Sequence, residues 1–325
     1  MTGVAGTVLT FTPNPALDET YPVPALVPGS THRVPPPHTR AGGKGLNTAR
    51  VVHQLGHSAL AVTSAGGPTG AAFTAELTGS GVPHALLEVS APTRRSMAFV
   101  DAGTGLTSIF NETGVPLRAG DWDELFALVE QALPHAACVV GAGSLPPEAP
   151  PDLFARLVRL SAAAGLPCII DTSGPGLLEA AAAGADVLKP NREELLEATG
   201  CDDVTRGADM LISAGARQVL VSSGADGMSL FSADAPGTIL TATLGRTLSG
   251  NPTGAGDAAV AAVAVLLASG DRDPYRLLRT ATAWSAAAVL MPAAGEISPR
   301  HTQFAKEVRI QRDGRVPSSA REETV

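Results

Sequence analysis

Residues 248–270 read LSGNPTGAGDAAVAAVAVLLASG. A turn of small residues, Gly254-Ala255-Gly256, is followed by one carboxylate, Asp257, and then by an unbroken apolar run. A run of this length predicts a helix over 256–268, anchored in the core because it is apolar on every side. The glycines strip away bulk, so backbone N–H groups at the helix start can face an anion. Three readings are open for Asp257. It is an acid favoured by the helix dipole, part of a GxGxxA dinucleotide loop, or a general base beside an anion hole for a transferring phosphoryl group. The dinucleotide reading fails on context. It requires a following strand and an acid about 20 residues on, whereas here a second helical pattern follows over 274–290 and the chain ends.

Working outward, short apolar runs alternate with helical patterns. Strands are predicted over 7–12, 60–64, 97–101, 107–111, 138–141, 168–171, 187–188, 219–222, 228–231 and 238–242. Helices are predicted over 45–55, 70–78, 122–133, 152–164, 191–199, 205–214, 256–268 and 274–290. From about residue 137 the order is strand, helix, strand, helix, which implies right-handed crossovers and a mostly parallel sheet covered on both faces. Two stretches break this rhythm. Residues 13–39 are rich in proline and turn residues, and residues 93–113 read as two strands joined by DAGTGL, a hairpin signal. Loops this long inside compact domains are uncommon unless functional, so both are expected to fold together as a small β-sheet lid that covers a site. The expected organisation is a main domain over 1–12, 40–92 and 114–312, a lid over 13–39 and 93–113, and a frayed polar tail over 313–325. No internal repeat is seen.

Composition bounds the function. The chain has 325 residues, 44% apolar and 17% charged, with a net charge of −8. That balance marks a globular protein and argues against a general nucleic-acid binder, which needs a basic face. Three distant cysteines, Cys138, Cys168 and Cys201, argue against a disulfide framework or a cysteine zinc site; the first two lie in strand-like runs and are expected in the core. The N-terminus lacks a basic leader and the longest apolar run is too short to span a bilayer, so a cytoplasmic protein with no membrane partner is expected. Of 23 basic residues only Lys44, Lys189 and Lys306 are lysines. A need for a compact ammonium at particular places and biased residue usage both account for that.

Three further stretches carry chemistry. In AGGKGLNTARVVHQLG (41–56), Gly42 and Gly43 permit close backbone approach. Lys44 and Asn47, three apart, share one face of a starting helix, which suits a hydroxylated or anionic substrate; an ordinary glycine turn is the plainer reading. It is not a phosphate-binding Walker loop, since no Ser or Thr follows the lysine. In LKPNREELLEATG (188–200), Asn191 reads first as a helix N-cap, with Glu193 and Glu194 complementing the dipole. The alternative places Asn191 and Glu194 one turn apart to organise water around magnesium–triphosphate. VLVSSGADGMSLFS (219–232) reads as strand, glycine turn, strand, either a nucleotide contact or a simple hairpin.

With GGKGLN, LKPNREE, SSGADG and GAGD in this order, the chain resembles the PfkB (ribokinase-like) carbohydrate kinase family over roughly residues 7–312. NPALD at Asn14 to Asp18, GAGSLPP at Gly141 to Pro147 and DTSG at Asp171 to Gly174 look most like its 1-phosphofructokinase and tagatose-6-phosphate kinase branch. The resemblance implies a three-layer αβα sandwich with a mostly parallel central sheet and a β-sheet lid, often used for homodimerisation. It implies transfer of the ATP γ-phosphoryl group to a sugar hydroxyl, with ATP and Mg2+ required. Asp257 would be the base and Gly254, Ala255 and Gly256 the anion hole. Lys189 would reach the ATP phosphates, and Asn191 and Glu194 would hold the magnesium water shell. Ser222, Gly224 and Gly227 would line the nucleotide site. Asp18, Gly42, Gly43, Lys44, Asn47 and Ser144 would hold the sugar, and Arg33 and Arg94 would gather charge for a substrate phosphate. Two of the three lysines thus fall in motifs.

The expected reaction is fructose 1-phosphate to fructose 1,6-bisphosphate. Tagatose 6-phosphate, fructose 6-phosphate or an unphosphorylated sugar are the alternatives. A sugar-phosphate sensor without turnover is a rival that the intact Asp257, Lys189 and Glu194 argue against. There are departures from the family pattern. Ser96 stands where an amide is usual, and Asn111 and Glu112 fall in a divergent TSIFNETG. Arg40 and Arg95 read either as pocket residues or as solvated surface, with surface the favoured expectation.

Overall fold

The computed structural model describes residues 6–314. In chain order the strands are β1 (Thr7–Thr12), β2 (Ala16–Val23), β3 (His38–Gly42), β4 (Ala59–Ala65), β5 (His84–Glu88), β6 (Arg94–Asp101), β7 (Thr107–Asn111), β8 (Ala136–Ala142), β9 (Cys168–Asp171), β10 (Val187–Leu188), β11 (Gln218–Ser222), β12 (Met228–Ser232), β13 (Thr238–Thr243) and β14 (Arg309–Gly314). The helices are α1 (Lys44–Gln54), α2 (Gly67–Gly79), α3 (Ala119–Ala132), α4 (Leu153–Ala163), α5 (Pro175–Ala182), α6 (Arg192–Thr199), α7 (Val204–Ala214), α8 (Ala255–Ala268), α9 (Pro274–Ala288) and α10 (His301–Glu307).

Ten strands form one sheet in the order β14-β13-β12-β11-β10-β9-β8-β1-β4-β5. Every pairing from β11 to β5 is parallel, as the strand–helix alternation predicts. Beyond β11 the pairing is antiparallel. Two short connections, at the glycine turn 224–227 and over 233–237, leave no room for a crossover helix, so the chain folds back as hairpins. Strand β14 extends to Gly314 and pairs with β13, so residues 313–314, expected in the tail, belong to the sheet. The remaining tail, 315–325, lies outside the described residues.

Alternating side chains divide the interior in two. Val8 of β1 joins one core, with Leu46 and Val51 of α1, Phe73 of α2, Val260 of α8 and Leu277 of α9. Its neighbours Leu9 and Phe11 join the other, with Trp122 and Phe126 of α3, Phe154 of α4, Leu177 of α5 and Leu211 of α7. Helices therefore cover both faces of the sheet, giving three layers. Cys138 and Cys168 are buried free thiols in these two cores. Helix α8 is buried along almost its whole length, from Asp257 through Ala264 and at Leu267. It packs between α1, α9 and the sheet, as a helix apolar all round must.

The second sheet, in the order β3-β2-β6-β7, stands off the main one. Strand β2 lies between β3, antiparallel, and β6, parallel, and β6–β7 is the hairpin predicted from DAGTGL. Asp101 fixes that turn: its Oδ1 accepts from Gly103 and Thr104 N–H, and its Oδ2 accepts from Leu26 N–H in the neighbouring lid loop. Tyr21, Phe99 and Phe110 form an aromatic ladder across the lid. No helix among the described residues is long and apolar enough to cross a membrane.

Candidate active site

In an open parallel sheet the crevice beyond the carboxyl ends of the strands is the place where side chains from many elements converge. Here Asn14 follows β1, Ser144 follows β8, Asp171 ends β9, Lys189 follows β10 and Ser222 ends β11. Lid strands β2 and β6 add Asp18 and Arg94. The resulting cleft encloses about 1220 Å3, more than the ~300–1,000 Å3 of an ordinary small-molecule pocket, so it has room for two ligands.

At its centre is Asp257, in the first turn of α8 and only 6% exposed. It accepts a 2.9 Å hydrogen bond from Asn47 Nδ2. Burial pushes its pKa up to about 6, and the Asp171 charge adds to the rise, while Lys44, Asn47 and Lys189 oppose it. The helix has no side-chain cap, and the amides of Gly256 and Asp257 find no backbone acceptor among the described residues. Their N–H groups are free for a ligand. Gly254 precedes them at φ +85°, and a Cβ there would lie 2.8 Å from Ala294 Cα. Only glycine meets both demands. Asn251 holds this turn from behind, through its N–H on Val289 O and its Nδ2 on Pro292 O.

Beneath the turn lies Lys189, 3% exposed. A Cβ on Gly256 would sit 3.2 Å from its Nζ, so the ammonium and the free amides share one small space. Among the described residues no carboxylate lies within ion-pair distance of that ammonium. The Asp171 charge balances it only from a distance, and an anion in front of α8 would give it a direct partner.

Lys44 bridges the two halves of the cleft, at 3.0 Å from Asp171 Oδ1 and 3.3 Å from Glu194 Oε1. Burial works against its charge, but Asp171, Glu194 and Asp257 outweigh it and hold the ammonium above the usual lysine range. Asp171 is itself 1% exposed. Burial raises its pKa, yet Lys189 and Lys44 prevail and keep it below the ordinary carboxylate value.

Asn191 is the N-cap of α6, as its plainer reading predicts. Its Oδ1 accepts from Glu194 N–H and Glu194 Oε2 accepts from Asn191 N–H, both at 2.8 Å. The same two residues line the cleft, so the cap does not exclude a second use. Ser222, Gly224 and Gly227 border the far end of the cleft with Leu244, Arg246 and Thr282.

On the lid side, Asp18 is pushed up to about 7, chiefly by burial, with Arg94 opposing. A Cβ on Gly42 would fall on its carboxylate, so Gly42 makes room for Asp18 and is not itself in the cleft lining. Gly43 caps α1 and lines the cleft with Lys44 and Asn47. Arg94 donates to Asn14 O and Glu112 O, and Asn14 Nδ2 donates to Ser144 Oγ at 3.2 Å. Ser96, Asn111 and Glu112 also line this end.

Two arginines are not where the sequence places them. Arg33 is exposed on the proline-rich lid loop and absent from the cleft lining. The stretch that carries it, between β2 and β3, has no strand partner to turn it inward. Arg40, expected at the solvated surface, is 15% exposed and ion-paired to Glu296 at 2.8 Å. Arg95 is half-exposed, 3.7 Å from Glu19. Sequence reasoning gave no site role to Asp171 or Arg246. Asp171 had one available signal, an acid closing an apolar strand before a small-residue exit; Arg246 had none.

Residues 12–301 match the pfkB family carbohydrate kinase. Over 291 residues the chain is 34% identical to the ATP-dependent 6-phosphofructokinase isozyme 2 of Mycobacterium tuberculosis, covering 88% of this chain and 84% of that one. Over 304 residues it is 33% identical to the 1-phosphofructokinase of Xanthomonas campestris, covering 90% and 93%. The crystal structure of phosphofructokinase-2 from Escherichia coli in complex with potassium superposes with a TM-score of 0.83 at 28% identity, over 93% of this chain and 99% of that one.

Proposed function

The chain belongs to the pfkB family of carbohydrate kinases, and from that premise we propose that it transfers the γ-phosphoryl group of ATP to a hydroxyl of a phosphorylated ketohexose. As a member of that family it is a phosphotransferase with an alcohol acceptor. The observation that carries the proposal is the juxtaposition of Asp257, the free amides at the start of α8 and the Lys189 ammonium, which no carboxylate among the described residues contacts directly.

In this reading Asp257 takes the proton of the attacking hydroxyl. Its pKa of about 6 leaves it ionised near neutrality and still basic enough to share a proton in the transition state. Asn47 aims the carboxylate. The Gly256 and Asp257 amides and Lys189 face the charge that spreads over the transferring group. Gly254 and Ala255 give these amides their direction. Asp18, Gly43, Lys44, Asn47 and Ser144 hold the sugar, and Ser222, Gly224 and Gly227 border the nucleotide. Asn191 and Glu194 suit a magnesium water shell, since each carboxylate or amide oxygen in the cap keeps a lone pair. When bound, magnesium supplies charge neutralisation to the triphosphate. Closure of the lid excludes water from the transfer.

The acceptor is a sugar phosphate because Arg94 lines the sugar end of the cleft, and a guanidinium fork matches a phosphate. The first reading is fructose 1-phosphate, which the NPALD and GAGSLPP stretches and the Xanthomonas relative support. The second is fructose 6-phosphate, supported by the M. tuberculosis relative. A panel of fructose 1-phosphate, fructose 6-phosphate, tagatose 6-phosphate and free hexoses with purified protein and ATP–Mg2+ tests both. Turnover with free hexoses alone would refute the phosphate reading. A homodimer through the lid is the matching assembly: Phe110 on β7 is 55% exposed and absent from the cleft lining. Light scattering that finds only monomer would refute it.

A further inference from the structure

Lid strand β3 ends in three residues, Arg40, Ala41 and Gly42, each tied to a different part of the molecule. Gly42 accommodates the Asp18 carboxylate. Ala41 is locked to the helices: its N–H donates to Glu76 Oε2 and its carbonyl accepts from Arg50 Nη2, which also bonds Glu76. Arg40 reaches the other way. Its Nη1 donates to Ala294 O at 2.9 Å and to Glu296 Oε1 at 2.8 Å.

Segment 294–296 is the back wall of the turn before α8. Ala294 Cα would lie 2.8 Å, and Gly295 N 3.2 Å, from a Cβ on Gly254. At φ +75°, Gly295 packs on α1, where its own Cβ would meet Asn47 Oδ1 at 3.1 Å and Arg50 Cδ at 3.0 Å. Asn47 is the residue that bonds Asp257. One short segment therefore touches the Gly254 turn and the Asn47 side chain, and Arg40 is the lid residue that grips it. Arg40 also pairs in register with Asp18 across the lid sheet. The lid carboxylate and the turn before α8 are thus joined through one arginine side chain.

We infer that Arg40 is a positioning residue that sets the Gly254–Asp257 turn according to the position of the lid, an inference that rests on the reading of that turn as the phosphate-facing element. Arg40 is absent from the cleft lining, so it acts through Ala294 and Glu296 and does not touch substrate. Misplacing reacting groups by about 1 Å costs up to ~10²-fold in rate, and close packing of segment 294–296 on Gly254 transmits such a shift.

Steady-state kinetics on Arg40→Ala, Arg40→Lys and Glu296→Gln, with thermal melts of each, test this. Arg40→Ala is expected to lower kcat roughly 10- to 100-fold, with KM for sugar and ATP changing less than about 3-fold, because the lost interaction acts on the transition state. Arg40→Lys, which keeps a donor and a charge, is expected to recover most of that loss. Glu296→Gln, at a half-exposed position, keeps the test open if Arg40→Ala does not fold, and should lower kcat in the same sense by less. Unchanged kcat in soluble Arg40→Ala or Glu296→Gln, whatever the melting temperature, overturns the inference. So does a rise in sugar KM at constant kcat, which would make Arg40 a binding residue. Asp257→Asn in the same assay separates the two readings. If it is inactive while Arg40→Ala is not impaired, only the role of Arg40 fails; if it turns over normally, the reading of the turn itself fails.

Discussion

Asn47 Nδ2 donates a 2.9 Å hydrogen bond to Asp257 Oδ2, joining the first turn of α1 to the first turn of α8 across 210 positions of sequence. Two glycine-led helix starts thereby meet at one carboxylate. That contact leads to the first prediction. Loss of a general base costs about 10²–10⁴ in rate, so Asp257→Asn should lose turnover in that range while keeping ATP binding by calorimetry. The acid limb of kcat/KM should fall near the carboxyl's pKa of about 6. Because the Asn47 bond lowers that pKa, Asn47→Ala should move the limb to higher pH. A limb that stays in place would detach Asn47 from the base.

The same carboxyl carries a stability cost with a definite sign. Asp257 holds its proton up to about 6 when folded, against an ordinary value of 3.8. Between those values the folded protein binds more protons than the unfolded one, so stability from this group declines as pH rises through the window. Asp257→Asn removes the titration. It should be more stable than the parent protein at pH 7–8, by on the order of 3 kcal/mol, and the gap should close toward about pH 4. The Asp257 charge also helps to raise the Asp18 carboxyl, so Asp18 does not cancel: its rise should shrink in the variant and widen the gap in the same direction. A parent that melts higher than the variant at pH 8 contradicts the burial argument.

How far the sequence carried the fold differs by element. Helix α8 was legible because an apolar run with no polar stripe has only one place to go. Strands β9 and β10 were legible as short apolar runs between helical patterns. The hairpin β11–β12 was one of two readings of residues 219–232, but the antiparallel run on through β13 to β14 was not anticipated, since alternation says nothing about the direction of the next strand. Helix α5 was missed because eight residues of PGLLEAAA carry too little periodicity. At the site, glycine-led motifs marked the residues that share the cleft. Long-range pairing stayed hidden: Arg40 looks like a surface residue until β3 is set against segment 294–296, more than 250 positions away. Arg33 failed for the opposite reason, a basic residue in a proline-rich loop with nothing in the sequence to fix its direction.

Gly254 and Gly256 sit two residues apart and should respond oppositely to alanine. At Gly254, φ +85° and the 2.8 Å approach to Ala294 Cα make a side chain strained as well as crowded, at a cost of roughly 1–2 kcal/mol for the conformation alone. Gly254→Ala should lower the melting temperature and turnover together. At Gly256 the methyl meets only the flexible end of Lys189, 3.2 Å from Nζ, and alanine favours the helix. Gly256→Ala should therefore melt at or above the parent temperature and still lose turnover, because the methyl stands between the ammonium and the cleft. Equal melting shifts for the two variants would show that the turn is looser than this packing requires.

The two lid arginines give the last prediction. Arg94 lines the cleft and its guanidinium is held by Asn14 O and Glu112 O, leaving a pre-oriented cation at the lid end of the cleft, where the sugar is proposed to bind. A hydrogen bond to a charged group contributes about 1.5–3 kcal/mol, so Arg94→Ala should raise KM for a phosphorylated ketohexose roughly 10- to 100-fold. It should change KM for the free sugar far less. Arg94→Lys keeps the charge but loses the fork, and should fall between, since only one contact geometry is lost. Arg33, exposed on the lid loop, makes no contact with the cleft of its own chain, so Arg33→Ala should leave both constants near those of the parent. Equal effects of Arg94→Ala on phosphorylated and free sugars would remove the phosphate from this end of the cleft. An Arg33→Ala defect as large as that of Arg94→Ala would return Arg33 to the site.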